Sequence, residues 1–183
     1  MHRIVNDEAL DTLFRAARSH YAWLARPVSD TMLRALWELV KLGPTSGLGR
    51  PARILFVRSE AAKARLGPAV ALPERAAIMT APVAAIVGYP LEPGAGPDSG
   101  PGRDRPAARR DAALQAAYLI LASRALGLDC GPIWDFDTRL VDAAFFPEGT
   151  VASNFLCALG YGDDSQLAPH QVRPGIVEAC TIL

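Results

Sequence analysis

Residues Pro82 to Gly88 read Pro-Val-Ala-Ala-Ile-Val-Gly, with no polar side chain among them. A strand with one wet face alternates apolar and polar residues, whereas an unbroken apolar strand needs cover on both faces. The chain must therefore supply helices for two sides of a sheet, and the remaining pattern does so. Asn6 or Asp7 caps a first helix predicted to reach about Ser19, with Leu10, Leu13, Phe14 and Ala17 at helical spacing. Ser29 caps a second, with Met32, Leu33, Leu36, Leu39 and Val40 inward, Lys41 at its C-terminal dipole and Gly43 as its stop. Short helices are expected over Glu60 to Leu66 and after Pro73. The longest helical pattern is Ala107 to Leu126, where Leu114, Tyr118, Leu121 and Ala125 share a face amid abundant alanine, so a central helix with a closely packing small-residue surface is expected. Asp137 caps another helix to about Phe145. Arg53 to Val57, Cys130 to Trp134 and Asn154 to Tyr161 read as further strands. Helices flank strands without strict alternation, so the predicted class is α+β with helices on both sheet faces. The apolar tail Ile176 to Leu183 must dock somewhere.

At 183 residues and 50% hydrophobic, the chain is expected to be one domain that needs neither disulfide nor metal to hold a core. Nineteen basic residues balance nineteen acidic ones, which argues against a nucleic-acid partner. No apolar run approaches the ~18 residues of a membrane span. Asp7 and Glu8 stand where a leader would carry its apolar core, so the expected address is the cytoplasm. Cys130, Cys157 and Cys180 are far apart and are expected to be small buried hydrophobes. His2, His20 and His170 lack ligand spacing, so no metal site is expected.

Familiar catalytic motifs fail. No GxxxxGK[ST] loop exists, and no GxSxG elbow. Gly94-Ala95-Gly96 follows a strand, yet a proline-studded stretch stands where a dinucleotide fingerprint needs a helix N-terminus. Three separated segments remain: Arg18-Ser19-His20-Tyr21, the turn Gly43 to Pro51, and Val172-Arg173-Pro174. Arginine beside a hydroxyl suits a phosphate. Taken singly, Arg18 equally reads as a helix C-terminal charge, the turn as only a turn and Arg173 as a surface arginine.

In their order, these segments resemble the nitroreductase superfamily of flavoproteins, nearest to its malonic semialdehyde reductase type of pyrimidine catabolism. The matching stretches include Ala17-Arg18-Ser19-His20, Gly43-Pro44-Thr45-Ser46, Thr80-Ala81-Pro82-Val83, Gln115-Ala116-Ala117-Tyr118, Gly131-Pro132 and Gly160-Tyr161-Gly162-Asp163. They cover nearly the whole chain except about Pro90 to Pro106. The resemblance implies a three-layer sandwich, a central mixed sheet flanked by helices. It implies an FMN-binding homodimer with the flavin at the subunit interface and NADH or NADPH as reductant. Arg18, Ser19, His20 and Arg173 match residues around the FMN phosphate and ribityl chain. Pro44, Thr45 and Ser46 match a turn that approaches the flavin from one subunit, and Gly131 and Pro132 match backbone near the ring. The chemistry then belongs to the flavin, with no catalytic side chain. The implied substrate is a small aldehyde such as malonic semialdehyde, or a nitro or quinone compound. Arg50 or Arg53 is the nearest cation for a substrate carboxylate, and Arg53 equally suits a strand-edge salt bridge.

The chain departs from the family at Tyr21, Leu48, Glu74, Ala77 and Trp134, where the family has other side chains. Each lost charged partner costs about 1.5–3 kcal/mol of flavin binding. These losses motivate an alternative, a flavin-degenerate member of the fold that binds a ligand or partner without efficient redox turnover. The segment from Pro90 to Pro106 holds five prolines and four glycines, and is expected to be a mobile loop that adds little to stability. Deleting part of it should leave the Tm nearly unchanged in a calorimetric scan; a large drop would show that the segment packs as structure.

Overall fold

The computed structural model describes residues 4–46, 52–72, 74–91 and 105–183. In chain order, the helices are α1 (Asp7–Leu10), α2 (Asp30–Val40), α3 (Glu60–Leu66), α4 (Glu74–Thr80), α5 (Arg105–Ala125), α6 (Thr138–Phe145) and α7 (Ile176–Ala179). The strands are β1 (Arg53–Val57), β2 (Val83–Pro90), β3 (Asp129–Ile133) and β4 (Val151–Gly160). They form one sheet in the order β1-β2-β4-β3. All three ladders are antiparallel, so the sheet is plainer than the mixed one expected. Parallel pairing survives at the bridge between Ser19 and Cys130.

The apolar run over β2 behaves as its sequence demands. Val83, Ala85 and Val87 face one layer, packed with Leu33, Leu36 and Val40 of α2 and Leu119 of α5. Ala84 and Ile86 face the other, packed with Leu66 of α3, Ile78 of α4 and Val141 of α6. The result is three layers, helices on both sides of an antiparallel sheet, in the α+β class. Among the described residues no helix is long and apolar enough to cross a membrane.

Three expectations need correction. The first helix stops well short of Ser19: after α1 the chain widens into a π turn over Asp11–Arg15, and Phe14 stays exposed. In α2 Leu39 is exposed while Leu33, Leu36 and Val40 are buried, because these three share the stripe that meets the sheet. α5 packs through the small-residue surface expected of it. Ala108, Ala112, Ala116 and Ala122 turn inward and Leu114 and Tyr118 outward, since small side chains let the helix approach the sheet closely. Cys130 and Cys157 are buried as expected, whereas Cys180 is exposed along with the whole tail around α7. The Pro90 to Pro106 loop falls mainly outside the described residues, as does the turn from Gly47 to Pro51.

Leu156 on β4 is fully buried among Ile86, Ile133 and Val141. Leu156→Ala should cost about 2–5 kcal/mol of unfolding free energy, read by chemical denaturation.

Candidate functional site

The end of the first helix runs onto β3. Ser19 bridges Cys130, and the His20 backbone N–H donates to the Cys130 carbonyl at 2.8 Å. The Tyr21 hydroxyl donates to the Pro132 carbonyl at 3.1 Å. Burial raises the Tyr21 pKa, and the charge of Glu74 raises it further, so the phenol stays a protonated donor. Arg18 donates to the Ala168 carbonyl and thereby ties this segment to the chain after β4. Arg18, Ser19, His20, Gly131 and Pro132 are thus brought together.

The His20 ring locks the junction. It is 4% exposed, with Nε2 at 3.1 Å from Asp164 Oδ1 and Nδ1 at 3.5 Å from Asp129 Oδ1. Asp129 also accepts the Gly162 N–H through Oδ2 at 2.8 Å. Two glycines make the fit feasible. A Cβ on Gly162 would lie 2.0 Å from the His20 ring, and one on Gly131 would lie 2.2 Å from the His20 carbonyl oxygen. Beside the lock lies a cavity of about 470 Å³ lined by Arg18, His20, Arg124, His170, Asp129 and Asp164, among others.

The second segment lands elsewhere. The turn after α2 rests on α5, where Ser46 donates its N–H and its hydroxyl to Asp111 Oδ2 at 2.9 and 2.7 Å. The Ala52 N–H donates to Gln115 Oε1 at 2.5 Å. Both acceptors are buried, and the fully buried Gln115 Nε2 has no hydrogen-bond partner among the described residues. Pro44 and Thr45 are exposed beside them. Asp111 and Gln115 were missed as site residues. The available signal was two polar residues at i, i+4 within an alanine-rich helix, a spacing that puts both on one face.

The other candidates do not join either cluster within one chain. Arg53 begins β1, at the opposite sheet edge from Gly131 and Pro132, three strand spacings or about 14 Å away. Arg173 lies in the exposed tail with no hydrogen bond or ion pair among the described residues. Arg50 and Leu48 lie outside the described residues. Ala77 is buried and accepts the Trp23 indole N–H through its carbonyl at 3.0 Å. Trp134, just past β3, is 76% exposed and borders a larger cavity of about 780 Å³.

Comparison with known proteins bears on these clusters. A protein of Polynucleobacter asymbioticus, provisionally named NADH dehydrogenase/NAD(P)H nitroreductase, is 45% identical over the full length of both chains. Among solved structures, a nitroreductase of Exiguobacterium sibiricum in complex with FMN superposes at a TM-score of 0.83, covering all of both chains at 18% identity. The Bacillus subtilis nitroreductase ydfN superposes at 0.85 over 97% of this chain and 100% of its own, at 17% identity. At these identities the structural likeness is one of fold. No family model matches the chain.

Gly131→Ala should force β3 and the His20 segment apart and cost about 1–3 kcal/mol as overpacking does. Gly175→Ala, with nothing within 4 Å of the added methyl, should leave the Tm unchanged as a control.

Proposed function

The chain belongs to the NAD(P)H nitroreductase family, and from that premise we propose that it is an FMN-dependent oxidoreductase fed by NADH or NADPH. The observation that carries this reading is the 45% identity across the whole of both chains. The donors present fit the cofactor's polar groups. A guanidinium and a hydroxyl at Arg18 and Ser19 suit a phosphate. The orphaned Gln115 Nε2, beside the exposed Pro44-Thr45 backbone, suits a ring carbonyl. Bound FMN supplies the hydride and electron transfer. The protein's part is to hold and orient: Arg18, Ser19 and Arg173 at the phosphate, Pro44 to Ser46 along one side of the ring, Gly131 and Pro132 as backbone along the other.

The reading requires a homodimer. Within one chain, the Ser46 turn sits on α5 and the Arg18 segment on β3, and the apolar tail is exposed among the described residues. A second copy supplies the missing half of each arrangement. Residues 1–183 are taken as one domain working in the cytoplasm. For the acceptor, the finer reading is a short 3-oxo acid of the malonic semialdehyde kind, or a nitro or quinone compound, with Arg50 or Arg53 meeting a carboxylate. Purified protein should be yellow, release flavin on denaturation and oxidise NADH or NADPH with a quinone acceptor. Colourless protein that stays inactive with added FMN would favour the flavin-degenerate alternative.

Arg18→Ala and Arg173→Ala should each weaken FMN by about 1.5–3 kcal/mol, roughly ten- to a hundredfold in Kd. Fluorescence titration of FMN reads this directly. Unchanged affinity in both variants would place the phosphate elsewhere.

A further inference from the structure

The segment after the first helix runs against the chain after β4, and the two are joined rung by rung. The Leu24 N–H donates to the Tyr161 carbonyl at 2.8 Å, Trp23 bridges Gly162, and the Asp163 N–H donates to the Ala22 carbonyl at 3.0 Å. Backbone pairing between the two segments ends there among the described residues. Beyond it, towards Arg18, two side-chain contacts carry the pairing on. His20 Nε2 lies 3.1 Å from Asp164 Oδ1, and Arg18 donates to the Ala168 carbonyl.

Both contacts lead back to one residue. Asp164 opens the 3₁₀ turn Asp164–Gln166, which the Asp163 carboxylate caps by accepting the Ser165 N–H at 3.0 Å. The Leu167 N–H donates to the Asp164 carbonyl at 3.3 Å, so Asp164 and the residue before Ala168 close one turn. Asp164 therefore grips the His20 ring with its side chain and places the acceptor of Arg18 with its backbone. The grip on His20 has no substitute. The ring is 4% exposed, and its Nδ1, 3.5 Å from Asp129 Oδ1, has no hydrogen-bond partner among the described residues. A carboxylate only accepts, so the contact to Asp164 puts the ring proton on Nε2. Without that contact a buried imidazole has no partner at either nitrogen, a cost that favours movement of the ring towards water. Arg18 gains from the hold, because an arginine already tied in place loses less rotamer freedom on gripping an anion.

We propose that Asp164 is a positioning residue for anion capture by Arg18: through the His20 ring and the Ala168 carbonyl it holds the guanidinium ready for a phosphate group. The consequence for FMN rests on the reading in which Arg18 meets the cofactor's phosphate. The hold on Arg18 itself does not.

The Asp164 side chain is 88% exposed, so replacing it opens no hole in the core. The test is fluorescence titration of the whole protein with FMN and with riboflavin, which lacks the phosphate. Asp164→Ala should weaken FMN by about tenfold and leave riboflavin unchanged. Asp164→Asn keeps an acceptor oxygen at the same place and should restore most of the FMN affinity. In an Arg18→Ala background Asp164→Ala should cost nothing further, because its effect passes through the guanidinium. NMR of the whole protein reads the hold without a cofactor. In Asp164→Ala the Arg18 side-chain N–H resonances should exchange faster with water, and the His20 ring nitrogens should leave the Nε2-protonated pattern. Equal losses for FMN and riboflavin, an undiminished loss in the Arg18→Ala background, or unchanged Arg18 and His20 resonances would each overturn the proposal. Wild-type protein that binds neither flavin, with the NMR changes present, would count against the cofactor reading and leave the hold on Arg18 standing.

Discussion

The central strand pair, β2 and β4, is sealed by helices on both faces, and the arrangement of the remaining groups follows from that seal. Ala84, Ala85, Ile86 and Leu156 are fully buried, so nothing binds on the middle of the sheet. Polar side chains that serve a ligand are confined to its two edges and to the ends of its strands. β1 and β3 are those edges, about 14 Å apart across two filled strands. A ligand that needs groups from both cannot find them close together in one chain. The same separation isolates Arg53 from Gly131, and the Ser46 turn rests on α5 while the Arg18 segment rests on β3. This is the physical basis for placing a second copy in the proposed site.

Rigidity at β3 comes from an unusually close backbone contact. Gly131 and Gly162 leave room for His20, and its ring is held between the carboxylates of Asp129 and Asp164. Only Nε2 is hydrogen-bonded, to Asp164, while the buried Nδ1 lies 3.5 Å from Asp129 with no hydrogen-bond partner among the described residues, so losing Asp164 would leave the whole imidazole buried and unpaired. Arg18 and Ser19 precede this lock by one or two residues and inherit its position. On the other side, Asp111 and Gln115 use the inner face of α5 to hold a turn by its backbone and hydroxyl. Both devices place flexible polar groups by means of buried polar partners, at the cost of the desolvation such burial entails.

Two of the side chains read from the sequence as departures from the family have definite surroundings. Tyr21 spends its hydroxyl on the Pro132 carbonyl, which ties the N-terminal segment to β3. Trp134 places an aromatic face at the mouth of a cavity that also holds two arginines.

Much of the fold was legible in the sequence. The unbroken apolar run over β2 demanded a covered sheet, and the caps at Asn6, Ser29 and Asp137 all accept backbone N–H groups where their residue types led one to expect it. Periodicity located α5, and its abundant alanine marked the surface that approaches the sheet closely, leaving Leu114 and Tyr118 outward. The order of Arg18, Ser19, Gly131 and Pro132 along the chain marked them as candidates, and only the tertiary structure could show that they meet, because segments over a hundred residues apart have no local signal of contact. Asp111 and Gln115 offered their i, i+4 spacing, and the turn they hold was not legible for the same reason. A polar residue on a helix reads as solvated until its partner is known, and that partner is chosen by how the layers pack, a choice no local spacing encodes.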